Sequence, residues 1–151
     1  MAIEVGQEAP DFTLQDEAGN QVTLSEMRGT PVVLMFYVFD FSGTCTTELC
    51  QVRDDYTSWM DKGAKVFGIS RDSRFTHAAF KEREGFKHSL LADLKGEVAT
   101  QYGVWNDTVG AAERATFVIG ADGKVVYAIH NQIPNARDHS EVEQHIAAAA
   151  G

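Results

Sequence analysis

An unbroken apolar run, Pro31-Val32-Val33-Leu34-Met35-Phe36-Tyr37-Val38-Phe39, constrains this chain more than any other feature. It is too short to cross a membrane and too apolar for a sheet edge, so it reads as a central strand covered on both faces. The chain then leaves the sheet through Asp40-Phe41-Ser42-Gly43. Thr44 offers a capping side chain, Glu48 follows within a turn of it, and Leu49, Val52, Tyr56 and Trp59 recur at helical spacing. A helix therefore begins around residues 43–45, with Cys45 in its first turn. The unpaired N–H groups and positive dipole end of a helix N-terminus stabilise a thiolate over a thiol. A strand end followed by a loop and a helix start is also where ligands bind in open α/β sheets. Cys45 is the residue to explain.

The remaining elements follow from periodicity and punctuation. Asp11–Leu14 and Gln21–Leu24 alternate apolar and polar residues around Glu17-Ala18-Gly19-Asn20, a β-hairpin signal. The helix after Cys45 should run to about Met60 and stop near Lys62-Gly63. Lys65–Ser70 is a second buried strand, and Arg71-Asp72-Ser73 caps a helix through about Glu84, closed by Gly85. Residues 85–93 read as loop with some extended character, Gly96–Tyr102 as a short helix, and residues 103–113 as a loop carrying Trp105. Ala115–Ile119 and Lys124–His130 form a hairpin around Ala121-Asp122-Gly123. A helix from about Ser140 to Ala149, with Ser140 and Glu143 as a capping box, closes the chain. The expected fold is α/β: a mixed central sheet with helices on both faces and an N-terminal β-hairpin.

At 151 residues, with 44% hydrophobic and 23% charged residues, the chain has the length and balance of one folded domain spanning residues 1–151. The net charge of −9 and pI near 4.9 supply no basic stripe for nucleic acid or anionic membrane. A generally acidic surface accounts for this charge, as does adaptation to high internal salt. The first residues lack the basic and apolar regions of an export signal, so a cytoplasmic location is expected. Two cysteines in a reducing compartment point to chemistry rather than architecture. The histidines, His77, His88, His130, His139 and His145, show no metal-ligand spacing joined to the cysteines and read as surface or packing residues. No dinucleotide fingerprint or phosphate loop is present, and no metal, haem or flavin cofactor is expected.

Three separated motifs carry a family resemblance. Gly6-x-x-Ala9-Pro10-Asp11-Phe12-Thr13-Leu14, then Phe41-Ser42-Gly43-Thr44-Cys45 followed by Glu48, then Arg114-Ala115-Thr116-Phe117-Val118-Ile119 resemble the thioredoxin-fold peroxiredoxins over nearly the whole chain. The chain is most similar to the bacterioferritin-comigratory type, which shares the five-residue cysteine spacing, and to the one-cysteine alkyl-hydroperoxide-reductase E type. The family pattern Pro-x-x-x-Thr/Ser-x-x-Cys implies that Ser42 supplies the hydroxyl and Cys45 the peroxidatic thiol. Val38 stands at the proline position, which restores a backbone N–H and frees φ. Val38 can still shield the thiolate, but the departure bears on peroxidase efficiency.

A free thiol is about 3% ionised at neutral pH, so lowering its pKa raises the thiolate fraction at most roughly 30-fold. Nucleophilicity falls with pKa and cancels much of that gain. The larger effect must come from polar groups around the breaking O–O bond. The assigned groups are Ser42 Oγ, the backbone N–H groups near Thr44 and Cys45, and the Arg114 guanidinium, the set that the resemblance also implies. Other readings stand beside these: Arg114 as a surface or ion-paired residue, and Ser42 as a turn residue bonding its own backbone. Glu48 either holds Arg114 or only caps the helix.

Oxidised Cys45 would be a sulfenic acid, with which a second thiol condenses to a disulfide. Cys50 is the only candidate resolving residue in the chain. Five helical residues turn through about 500° and rise about 7.5 Å, so Cys50 points away from the face that Cys45 shares with Leu49, Val52, Tyr56 and Trp59. A disulfide then requires the first helical turns to unwind. Alternatively Cys50 is an inert small side chain and an external thiol resolves Cys45. The expected activity is reduction of hydrogen peroxide or organic hydroperoxides, recycled by a thioredoxin-like or small-thiol reductant, in a monomer or homodimer. A thiol-disulfide oxidoreductase is disfavoured by the wide cysteine spacing and by the absence of proline between Pro31 and Pro134. A redox-responsive binding or chaperone-like protein, with turnover lost through Val38, is the alternative from another class.

Overall fold

The computed structural model describes residues 3–40, 59, 61–131 and 146. Within these, seven strands form one sheet in the order Gln21–Thr23, Thr13–Asp16, Ser89–Ala92, Lys65–Ser70, Val32–Phe36, Arg114–Ile119, Val125–Asn131. The N-terminal hairpin pairs β1 (Thr13–Asp16) with β2 (Gln21–Thr23). Its turn is set by Asp16, whose Oδ1 accepts from the N–H groups of Ala18 and Asn20 at 3.0 and 2.9 Å. Leu24, read from sequence as strand, instead opens a 3₁₀ turn over Leu24–Met27.

The apolar run forms β3 (Val32–Phe36), fully buried, between parallel β4 (Lys65–Ser70) and antiparallel β8 (Arg114–Ile119). The strand stops three residues short of the end of the run, although the Tyr37 N–H still donates to Ile69 O at 3.0 Å. Because side chains alternate across a strand, Val32, Leu34 and Phe36 enter one core layer with Val98, Tyr102 and Phe117. Val33, Met35 and Tyr37 enter the other with Trp59, Phe80 and Ile146. Both faces of β3 are thus covered, which is why its residues show no polar alternation.

Helix α1 (Arg74–Glu84) covers the Tyr37 face. Ser73 Oγ accepts from the Thr76 N–H at 3.2 Å at its start, and Gly85 ends it at φ 69°, a conformation that costs any other residue more. The short helix α2 (Glu97–Gln101) lies on the opposite face through Val98 and Ala99. The helices expected over residues 43–60 and 140–149 fall outside the described residues except for Trp59 and Ile146, both helical, buried and on the Tyr37 side.

Two segments differ from the sequence reading. Residues 85–93 contain β5 (Ser89–Ala92), an inner strand parallel to β4. Its apolar pair, Leu90 and Leu91, is too short to show a period, and pairing on both edges makes it a strand. Residues 103–113 contain a small hairpin of β6 (Trp105–Asn106) and β7 (Ala111–Ala112), with Trp105 packed against the core. The last hairpin joins β8 to β9 (Val125–Asn131) as expected.

Candidate active site

Of the residues singled out in the sequence, Ser42, Thr44, Cys45, Glu48 and Cys50 lie outside the described residues. Arg114 and Val38 are placed. Arg114 opens β8 and is buried, 4% exposed, which removes the reading of a surface arginine. The β3–β8 register ends on the pair Phe36–Ala115, so Arg114 is the next residue of β8 beyond the last paired residue of β3. Alternation along β8 puts Arg114 on the face of Val118, the face that Tyr37 and Val38 also share. The arginine therefore stands beside the point where the chain leaves β3 for Cys45. Val38 is buried in the same apolar cluster as Tyr37 and Trp59.

The carboxyl ends of β3 and β4 also hold a buried polar network to which the sequence reading gave no role. Tyr37 Oη donates to Asp40 Oδ1, and burial together with the Asp40 charge pushes the phenol pKa well up, keeping it a donor. Asp40 Oδ2 lies 2.6 Å from His77 Nδ1 on α1, with neither side chain exposed. His77 Nε2 is 2.9 Å from Leu91 O; a carbonyl only accepts, so Nε2 carries a proton. The 2.6 Å contact between Nδ1 and Asp40 Oδ2 is a hydrogen bond, so one of these two atoms donates to the other. The Asp40 N–H donates to Asp72 Oδ2 at 2.8 Å, and the Ser70 hydroxyl donates to the same oxygen at 2.6 Å. Gly68 in β4 makes room for this arrangement, because a Cβ there would sit 3.2 Å from Tyr37 Cε1 and 2.8 Å from Leu90 Cδ2.

His77, expected as a surface or packing residue, is thus a fully buried hydrogen-bonding residue linking α1, β5 and residue 40. The available signal was an acid, Asp40, directly after an apolar run. Burying it requires a partner, but no spacing rule names a histidine 37 residues away. Asp40, Asp72 and His77 each bring one atom capable of binding a metal within 4.8 Å of the others, and these atoms are engaged in the hydrogen bonds just given. His88 is also buried, its ring tilted 33° against Phe86 at 4.9 Å. His130 bonds Glu113 at 2.9 Å, while His139 and His145 lie outside the described residues.

A mixed sheet with helices on both faces, a parallel β3–β4 pair and a β8–β9 hairpin next to it define a thioredoxin-like fold. A buried arginine then stands abreast of the strand end that leads to a cysteine. Solved structures with this architecture include peroxidoxin BcpB from Mycobacterium tuberculosis, with a TM-score of 0.85 and 33% identity over 97% of this chain and 96% of that one. Another is AhpC from Enterococcus faecalis, with a TM-score of 0.88 and 27% identity over 98% of this chain and 92% of that one. The sequence model of the AhpC/TSA family matches residues 5–128, and the chain belongs to that family. Peroxiredoxin Bcp of Bacillus subtilis (strain 168) is 37% identical over 133 residues, 83% of this chain and 84% of its own. A chloroplastic peroxiredoxin Q of Oryza sativa subsp. japonica is 38% identical over 131 residues, 86% of this chain. The alignment spans only 60% of that plant protein's length.

Proposed function

We propose that the chain is a thiol-dependent peroxidase that reduces hydrogen peroxide or organic hydroperoxides through Cys45. The observation that carries this reading is the buried position of Arg114 at the start of β8, the residue before the Ala115 that pairs with the last residue of β3. The similarity to peroxiredoxins over most of the chain supports it. The Cys45 thiolate attacks the nearer peroxide oxygen, the S–O bond forms as the O–O bond breaks, and the departing oxygen leaves as water or an alcohol after taking a proton. Charge develops on that oxygen, and a guanidinium with fixed N–H donors stabilises it more than it stabilises the intact peroxide. Ser42 and the N–H groups near Thr44 and Cys45 complete the donor set, and Glu48 orients Arg114.

Cys50 then condenses with the Cys45 sulfenic acid, releasing water and forming a disulfide after the first helical turns unwind. A thioredoxin-like protein or a small thiol returns both sulfurs to thiols. The reaction takes place within one domain, in a reducing cytoplasm, as a monomer or homodimer. No helix among the described residues is long and apolar enough to cross a membrane.

The test is a time course of intact mass after one equivalent of hydrogen peroxide is added to reduced protein and quenched with a thiol-blocking reagent. Rapid loss of both thiols without added oxygen supports Cys45 chemistry with Cys50 as resolver. A lasting single added oxygen retains the peroxidase and transfers resolution to an external thiol. Survival of both thiols for many minutes overturns the reading in favour of a redox-responsive binding protein. Cys45→Ser should abolish peroxide consumption, and Cys50→Ser should remove the internal disulfide.

A further inference from the structure

The ladder between β3 and β8 ends on the pair Phe36–Ala115, and Arg114 lies one residue past it. Two features hold the chain there. On one side β9 pairs with Arg114 through Asn131. On the other stands Glu113, to which the sequence reading gave no role. Its N–H donates to Val104 O at 2.8 Å, and both of its carboxylate oxygens are engaged. Oε2 accepts from Asn106 Nδ2 at 3.1 Å, and Oε1 is hydrogen-bonded to His130 Nε2 at 2.9 Å. Asn106 is oriented by its own turn, since its Oδ1 accepts from the N–H groups of Thr108 and Val109 at 3.0 and 3.1 Å, which turns Nδ2 toward Glu113. One carboxylate thus ties the β6–β7 hairpin and β9 to the start of β8.

His130 is the partner of Ala115 across the β8–β9 ladder, and paired residues project from the same face of a sheet. Arg114, the neighbour of Ala115 in the strand, projects from the other. By reaching His130, Glu113 is anchored on the face opposite the guanidinium, and its hold on Arg114 runs through the backbone. The Glu113–His130 pair is partly exposed, 24% and 32% by side chain, and an ion pair in that setting adds little to stability. What it fixes is direction. A small rotation at the first residue of a strand is carried to the tip of a long side chain, and a misplacement of about 1 Å at a reacting group costs on the order of 100-fold in rate.

Resting on the peroxidase reading above, we propose that Glu113 is a positioning residue for that reaction: clamped by Asn106 and His130, it sets the direction in which the Arg114 guanidinium projects. The clamp requires a side chain that meets both neighbours at once. Glutamine does so, its Oε1 accepting from Asn106 Nδ2 and its Nε2 donating to the Nε2 of a neutral His130, whereas alanine meets neither.

Two readouts test this in a Cys50→Ser reference. The first is the ratio of the rate constants of Cys45 with hydrogen peroxide and with iodoacetamide, because alkylation needs an accessible thiolate but none of the donors that act on the O–O bond. The second is the NMR signal of the Arg114 Nε–H proton, assigned by its loss in Arg114→Lys. Glu113→Ala should lower the ratio about tenfold or more and shift or broaden the signal, while Glu113→Gln should keep the ratio within about twofold of the reference and the signal in place. His130→Phe keeps a ring on the strand but removes one clamp; it should lower the ratio at least about threefold and move the signal, and it decides the matter if Glu113→Ala does not fold. A smaller fall or an unmoved signal in the deciding variant overturns the proposal, as does a Glu113→Gln ratio outside its range. A reference that does not reduce peroxide removes the peroxidase reading and this proposal with it. A reference that does, with the variants unchanged, removes this proposal alone.

Discussion

His77 Nδ1 and Asp40 Oδ2 stand 2.6 Å apart where neither side chain touches solvent, joining the helix after β4 to the residue at which the chain turns from β3 toward Cys45. Each group is the other's compensation for leaving water. Losing one leaves a buried polar atom whose desolvation nothing offsets, whereas losing both removes the conflict.

Asp40→Ala is therefore expected to destabilise the fold by about 3 kcal/mol, read from the urea midpoint at constant slope. Combining it with His77→Leu should cost less than the sum of the two single changes, by about 1 kcal/mol or more. Strict additivity would show that the two side chains are not energetically coupled.

Arg114 presents a planar fork of donors from the first residue of β8. Arg114→Ala should lower the second-order rate of peroxide reduction by about 100-fold to 1,000-fold with the circular dichroism spectrum retained. Arg114→Lys should recover little of it, because a single ammonium cannot reproduce the fork. Full activity in either variant would remove the arginine from the mechanism.

Gly68 is required by close approach rather than by backbone conformation. A methyl group there meets Leu90 Cδ2 at 2.8 Å and Tyr37 Cε1 at 3.2 Å, within a strand paired on both sides. Gly68→Ala should cost about 1–3 kcal/mol in thermal or urea unfolding. Adding Leu90→Ala should return part of that loss by opening space on the leucine side. A Gly68→Ala protein as stable as its parent would contradict the packing described.

His88 gives the stability a pH dependence of definite sign. Burial first, and the Lys81 charge second, push its pKa down from 6.5 to about 3 in the folded chain. Between those values the unfolded chain binds the proton and the folded one does not, so stability falls as the pH drops through 6.5 and continues to fall toward 3. The slope from this residue is about 1 kcal/mol per pH unit below pH 6. His88→Leu should flatten the curve between pH 6 and 4 relative to its parent, measured by urea unfolding. Parallel curves for parent and variant would rule out the buried neutral imidazole.

Much of the architecture was legible because local chemistry and global packing agree. The apolar run from Pro31 reads as an inner strand, Glu17-Ala18-Gly19-Asn20 as a turn, and Ser73 and Gly85 mark the ends of α1 within a residue. The strand at Ser89–Ala92 was missed because two leucines carry no period, and its state is set by strands distant in the sequence. For the candidate site, the motif around Cys45 and the arginine before Ala115 were visible as residue types at fixed spacings.

What the sequence determined by itself is therefore the chemistry on offer: a cysteine shortly after a buried apolar run, a second cysteine five residues on, and an arginine just before Ala115. What only the tertiary structure decided is which groups share a place. Antiparallel pairing of β3 with β8 sets Phe36 against Ala115, the neighbour of Arg114, and the packing of α1 brings His77 onto Asp40. Neither approach is encoded in a local pattern. A hydrogen bond between distant residues leaves no periodicity, and burial alone obliges an acid to find a partner without saying where that partner will come from.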